Sequence, residues 1–275
     1  MRTSSLIVTS LAFLTILVIF LCAPIEYRAQ PDPLEPYQSA AMDEEVSDEV
    51  LALIKRGDAF LQAKRYDEAI AQYRAAIAKA DKPVFTAYLN LGTANYQKED
   101  LQAAIEAYRK AIEIRPNDYR GHYNLAEALY ASANYRESET EYRKVITLNQ
   151  KGLLGAQAHH FLGLALYRQG RTAEAIAEYR IAIEQFGGKY AEAHYNLGIA
   201  LLDLKDYSGA ETEFRTTVGQ DKDFAEAHFN LGVALEHQRR FREAADEFEI
   251  YLSLTPGNSD AERLRARIGK LRQQK

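Results

Sequence analysis

Two series of residues in this chain have types and spacings that could do chemistry. The first is His122, His159, His194 and His228, one histidine near the start of each of four successive segments. A histidine series invites a metal reading. A zinc ion holds imidazole nitrogens at about 2.1 Å, so two such nitrogens lie at most about 4.2 Å apart. Equivalent residues of stacked helices are about 8–10 Å apart. Leu53 and Tyr88 occupy the same place in earlier segments. The row therefore reads as packing, with no metal and no cofactor, and neither His160 nor His237 changes this.

The second series is Asn90, Asn124, Asn196 and Asn230, interrupted by Phe161. A carboxamide offers both donor and acceptor, so it can pair with a peptide unit whatever that unit's side chain. The sequence contains no P-loop, G-x-G-x-x-G, H-E-x-x-H or G-x-S-x-G pattern, and the expectation is a protein that is not an enzyme.

Both series are set by an internal repeat of 34 residues, which implies a solenoid. Its signature is a small residue followed twelve positions later by another: Gly57/Ala69, Gly92/Ala104, Ala126/Ser138, Gly163/Ala175, Gly198/Ala210 and Gly232/Ala244. Six units follow at 50–83, 85–118, 119–152, 156–189, 191–224 and 225–258, with insertions at Val84, Leu153–Gly155 and Tyr190. In each, a 3.6-residue apolar period runs, breaks at a polar or glycine position and resumes, which predicts two antiparallel helices per unit. The small residues let the paired helices approach. An aromatic four residues after the second small residue (Tyr73, Tyr108, Tyr142, Tyr179, Phe214, Phe248) is expected to fill the space between units. The following contact position is small or β-branched until Tyr251, which suits a last repeat.

The segments YLNLGTANY (88–96), HYNLGIALL (194–202) and HFNLGVALE (228–236), each followed by an A-x-x-x-[YF] second helix, resemble the tetratricopeptide repeat family. The resemblance covers 50–258. It implies an all-α, right-handed superhelical solenoid of six antiparallel helix pairs. Departures are Ile54-Lys55-Arg56-Gly57 in the first unit, Ala126 in the third and Phe161 in the fourth. The resemblance also implies that Asn90, Asn124, Asn196 and Asn230 line an inner groove and hold a peptide backbone. Tyr123, His160, Tyr195 and Phe229 would flank them on one side, and Tyr96, Tyr130 and Tyr167 on another. The lysine, asparagine and base pattern by which some family members clamp acidic chaperone tails is not met by any three consecutive units.

Residues 259–275 read as a basic amphipathic helix with Leu264, Ile268 and Leu271 on one face, capping the last repeat; a basic partner-binding helix is the alternative. At the other end, Leu6–Ala23 is uncharged and its 18 residues would span roughly 27 Å as a helix. It reads as a transmembrane anchor, with a cleaved signal peptide as the alternative; Leu21 before Cys22 argues against acylation. Arg2 and the amino terminus before the run favour a repeat domain outside the cytoplasm, periplasmic in a bacterium, or secreted after cleavage. Residues 24–49 carry four prolines and eight acids against one base and read as an extended linker. The body after them is near neutral, which disfavours nucleic acid as a partner.

The expectation is a membrane-tethered scaffold or assembly factor that binds a peptide or partner helix in its groove, without a small-molecule substrate. Two alternatives stand: a structural subunit using its convex face or C-terminal helix, and a docking subunit for a separate enzyme.

Overall fold

A computed structural model describes residues 46–149 and 153–274. The apolar run 6–23, and with it the anchor or signal reading, lies outside the described residues, as does the linker up to residue 45. Among the described residues no helix is long and apolar enough to cross a membrane.

The described residues form thirteen helices and no strand. They pair as α1 (Asp48–Gln62) with α2 (Tyr66–Lys79), α3 (Phe85–Gln97) with α4 (Leu101–Ile114), and α5 (Tyr119–Ala131) with α6 (Tyr135–Leu148). Next come α7 (Leu153–Arg168) with α8 (Thr172–Gln185), α9 (Ala191–Asp203) with α10 (Tyr207–Gln220), and α11 (Ala225–His237) with α12 (Phe241–Leu254). A last helix, α13 (Ala261–Leu271), follows. Each helix packs on the next in sequence. First helices of neighbouring repeats also meet directly, α1 with α3, α3 with α5, α7 with α9 and α9 with α11, which makes them one wall of the array.

The linker ends sooner than its composition suggests. Asp48 and Glu49 form the first turn of α1, where carboxylates favour the helix dipole, and Ser47 Oγ accepts the Val50 N–H. Leu153–Gly155 is not a joint insertion but the first turn of a lengthened α7.

One backbone device closes every first helix. Lys64, Glu99, Ala133, Gly170, Lys205 and Arg239 occupy the same register position with φ between 57° and 76°. The next N–H reaches back five residues to a carbonyl, as in Arg65 to Phe60 and Asn134 to Leu129, which is the left-handed helix stop. Five of these six residues are not glycine, so the sequence marks the turn only at Gly170.

The signature aromatics reach the following repeat, as expected: Tyr73 and Tyr108 share a core with leucines and alanines of the next unit, and Tyr142 stacks on Phe161. In the five units that carry glycine, the ring also lies over that glycine of its own first helix. A Cβ added to Gly92 would stand 2.4 Å from Tyr108 Cε1, and one added to Gly198 would stand 2.6 Å from Phe214 Cε1. Only glycine allows that approach. In the third unit, Ser138 Oγ donates to the Ala126 carbonyl at 2.8 Å, joining the two helices there.

The ends of the array are built as ends. Interior first helices bury a leucine against the preceding repeat (Leu91, Leu125, Leu162, Leu197, Leu231), whereas the first repeat carries Arg56 at that position, exposed beside Lys55. At the other end Leu264, Ile268 and Leu271 of α13 are buried. Arg267 pairs with Glu236 at 2.6 Å, and Arg272 with Glu249 at 2.8 Å. Tyr251 accepts a hydrogen bond from Asn258 Nδ2 at 2.8 Å.

Candidate interaction surface

The asparagine row is inside the wall of first helices. Asn90, Asn124, Asn196 and Asn230 expose only 3–6% of their surface. Three of them reach back to the preceding repeat. Asn90 Nδ2 donates to Asp58 Oδ1 at 2.8 Å, and Asn230 Nδ2 donates to the Tyr195 hydroxyl at 3.1 Å. Asn196 Nδ2 lies 2.8 Å from His160 Nε2, and His160 Nδ1 lies 2.8 Å from the Tyr190 hydroxyl. Burial pushes the His160 imidazole down to about 3, so it bridges the two repeats as a neutral ring with one donor and one acceptor. Burial also raises the Asp58 carboxyl, against the bonds it accepts from Tyr73 and Asn90. In this structure the row straps repeat to repeat, and Phe161 fills its place in the fourth unit with an aromatic contact to Tyr142, centroids 5.8 Å apart.

The flanking residues divide. Tyr123, His160 and Tyr195 are buried, with Tyr123 edge-on to Phe161 at 6.1 Å and Tyr195 stacked on Phe224 at 4.8 Å. Phe229 is half-buried, against Phe248 and Tyr251. Tyr96, Tyr130 and Tyr167 are also half-buried, one per repeat at the same register near the end of the first helix. Arg168 Nε donates to the Tyr130 hydroxyl at 3.3 Å, and the Tyr167 hydroxyl donates to Asp203 of the next repeat. These tyrosines and Phe229 form the accessible part of the predicted set.

The histidine row holds each unit to itself. His122, His159, His194 and His228 each place Nδ1 2.6–2.7 Å from a glutamate on the paired second helix: Glu141, Glu178, Glu213 and Glu247. In three of them Nε2 also faces a carbonyl in the turn before the first helix, of Pro116, Gly188 and Lys222. A carbonyl only accepts, so Nε2 is the donor in these contacts. Burial pulls the His122 imidazole down, but Glu141 and the Pro116 carbonyl outweigh it and hold the ring above its ordinary range. The pairing was readable. Where histidine is absent, at Leu53 and Tyr88, the partner position holds Gln72 and Ala107 instead of glutamate.

A matching rule governs the signature ring. Tyr73 donates to Asp58 at 2.7 Å and Tyr108 to Thr93 at 3.3 Å, both at one position of the first helix. Where that position is Ile199 or Val233, the ring is Phe214 or Phe248. The fourth unit breaks the rule: Tyr179 faces Leu164, and its buried hydroxyl has no hydrogen-bond partner.

Comparison with known proteins places this geometry. The mitochondrial import receptor subunit TOM70 of Saccharomyces cerevisiae is 33% identical over 111 residues, covering 40% of this chain and 16% of that protein. The chain spans only about 14–16% of the length of the curated relatives it matches first. Among solved structures, PilW, a type IV pilus biogenesis factor, superposes with a TM-score of 0.69 at 14% identity over 80% of this chain and 99% of its own. YrrB, described as a tetratricopeptide repeat protein with an unusual peptide-binding site, gives 0.57 at 19% identity over 70% and 97%. The two structures share the fold. The family model for the tetratricopeptide repeat matches residues 41–119, 123–190, 162–222 and 195–259. With six helix pairs whose first helices close by one turn geometry, five of them sharing one glycine–aromatic contact, this chain belongs to the tetratricopeptide repeat family.

Proposed function

We propose that this protein is a protein–protein interaction scaffold that holds an extended segment or helix of a partner along the wall of first helices. The observation that carries this reading is the row of half-buried tyrosines, Tyr96, Tyr130 and Tyr167, repeated at one register on three successive first helices. Aromatic rings give large contact area at small entropic cost and are frequent binding hot spots. The peptide-binding site named for YrrB, the import-receptor role named for TOM70 and the pilus-biogenesis role named for PilW support the same class of function. The asparagines enter this account as the framework that fixes the spacing of the wall. The uncharged run 6–23 would tether the array to a membrane, with the repeats on the extracytoplasmic side.

Selection of a displayed peptide library on the purified chain tests the reading. Binders should be enriched reproducibly, and Tyr96→Ala and Tyr167→Ala should each weaken them by about tenfold or more. A selection with no reproducible binder, or binders indifferent to both substitutions, would refute it.

A further inference from the structure

The end of the tyrosine row in the fourth repeat contains a cation that the fold does not use as one. Arg168 is the last residue of α7. Its Nε donates to the Tyr130 hydroxyl at 3.3 Å. Its two terminal nitrogens have no acceptor among the described residues, and it forms no ion pair with any of them. Two arginines just past the ends of first helices are, by contrast, paired with carboxylates: Arg171 with Glu139 and Glu174, Arg240 with Glu211 and Glu243.

The rings fix the frame. Tyr130 and Tyr135 meet edge-on with centroids 5.3 Å apart, and Tyr167 is tied to Asp203 across the repeat boundary. Tyr179, on the paired second helix, is fully buried with an unpartnered hydroxyl. An anchored guanidinium whose free edge points away from its anchor is a planar donor pair for a carboxylate. Holding Nε on a tyrosine removes part of the ordering cost before a ligand arrives.

We infer that Arg168, framed by Tyr130, Tyr135 and Tyr167, is a subsite for the side-chain carboxylate of an acidic peptide segment in a partner protein. It rests on the interaction-scaffold reading and adds a charge preference to it. The site differs from the chaperone-tail clamp considered from sequence, since it uses one guanidinium at the end of a first helix and a frame of phenols. The other occupant available is the chain's own acidic stretch, which includes Asp43, Glu44 and Glu45.

The test uses the full chain on an array of short, C-terminally amidated peptides. They are synthesised in pairs identical except that Asp and Glu in one become Asn and Gln in the other. Acidic members should bind about tenfold or more tightly than their amide twins, as expected for a charged hydrogen-bonded pair. Arg168→Gln should bring the acidic members down to the amide level and leave the amide members and the melting temperature unchanged. Tyr130→Phe, which keeps the charge, should retain the preference. Equal binding of twins, or a preference that survives Arg168→Gln, overturns the subsite and leaves the scaffold reading intact; no binding by any peptide removes both. Neutralising Asp43, Glu44 and Glu45 to their amides should leave affinity unchanged. A rise of about tenfold would assign the subsite to the chain's own segment and overturn the partner assignment.

Discussion

Gly92→Ala tests the glycine–aromatic packing found in five of the six repeats. The new Cβ would stand 2.4 Å from Tyr108 Cε1 and 2.5 Å from Cδ1. Ordinary carbon contacts are about 3.5–4.0 Å, so the ring or its helix must retreat by roughly 1 Å. Tyr108 is buried and its hydroxyl donates to Thr93, so the ring has no empty space to enter and α4 must shift against α3. Overpacking of this kind costs about 1–3 kcal/mol, against which alanine gains about 1 kcal/mol over glycine in a helix. The net expectation is destabilisation by up to roughly 2 kcal/mol. Urea unfolding followed by circular dichroism measures it, in the native background and with Tyr108→Leu. With the ring gone, Gly92→Ala should become neutral or stabilising by up to about 1 kcal/mol, a coupling of about 2 kcal/mol. Coupling below about 0.5 kcal/mol, or a stabilising Gly92→Ala in the native background, would refute the contact as the reason for glycine.

Other expectations follow from the same geometry. Ala133→Gly relieves a left-handed residue at φ 61° and should raise stability by about 0.5–1 kcal/mol in the same urea assay. Tyr179→Phe removes a buried hydroxyl without a partner and should be neutral or stabilising by about 1 kcal/mol, where most tyrosine-to-phenylalanine changes in a core are not. Because His122 is held above its ordinary range, its contribution is fully present below the unfolded value near 6.5 and is lost as pH rises through the folded value. Stability measured across that window should fall less in His122→Gln than in the native chain. Leu264→Ala, in the buried face of α13, should cost about 2 kcal/mol or more and loosen the last repeat first, as seen by hydrogen exchange.

The period, the helix pairs and the cap were legible because each is a local pattern repeated in register. Two features escaped for physical reasons. The left-handed stop depends on backbone geometry that Lys64, Glu99 and Ala133 do not advertise by type. The asparagine row looked like a ligand ladder because a carboxamide is equally suited to a peptide and to a neighbouring repeat. Only the distances from Asn90 to Asp58 and from Asn230 to Tyr195 show which partner it has in this structure. The histidine–glutamate pairs lay in plain view at a fixed separation, yet reading the histidines one row at a time hid them. Lys55 and Arg56 looked like a departure from the repeat and are instead its solvent-facing first edge.

The central claim is that the wall of first helices receives the partner. Hydrogen exchange of the full chain, with and without a peptide enriched by library selection, tests it directly. The account predicts added protection along α3, α5, α7 and α9, the helices that carry the tyrosine row and its neighbours, with α4, α6, α8 and α10 unchanged. Protection confined to the second helices or to α13 would contradict it and move the interaction to another face.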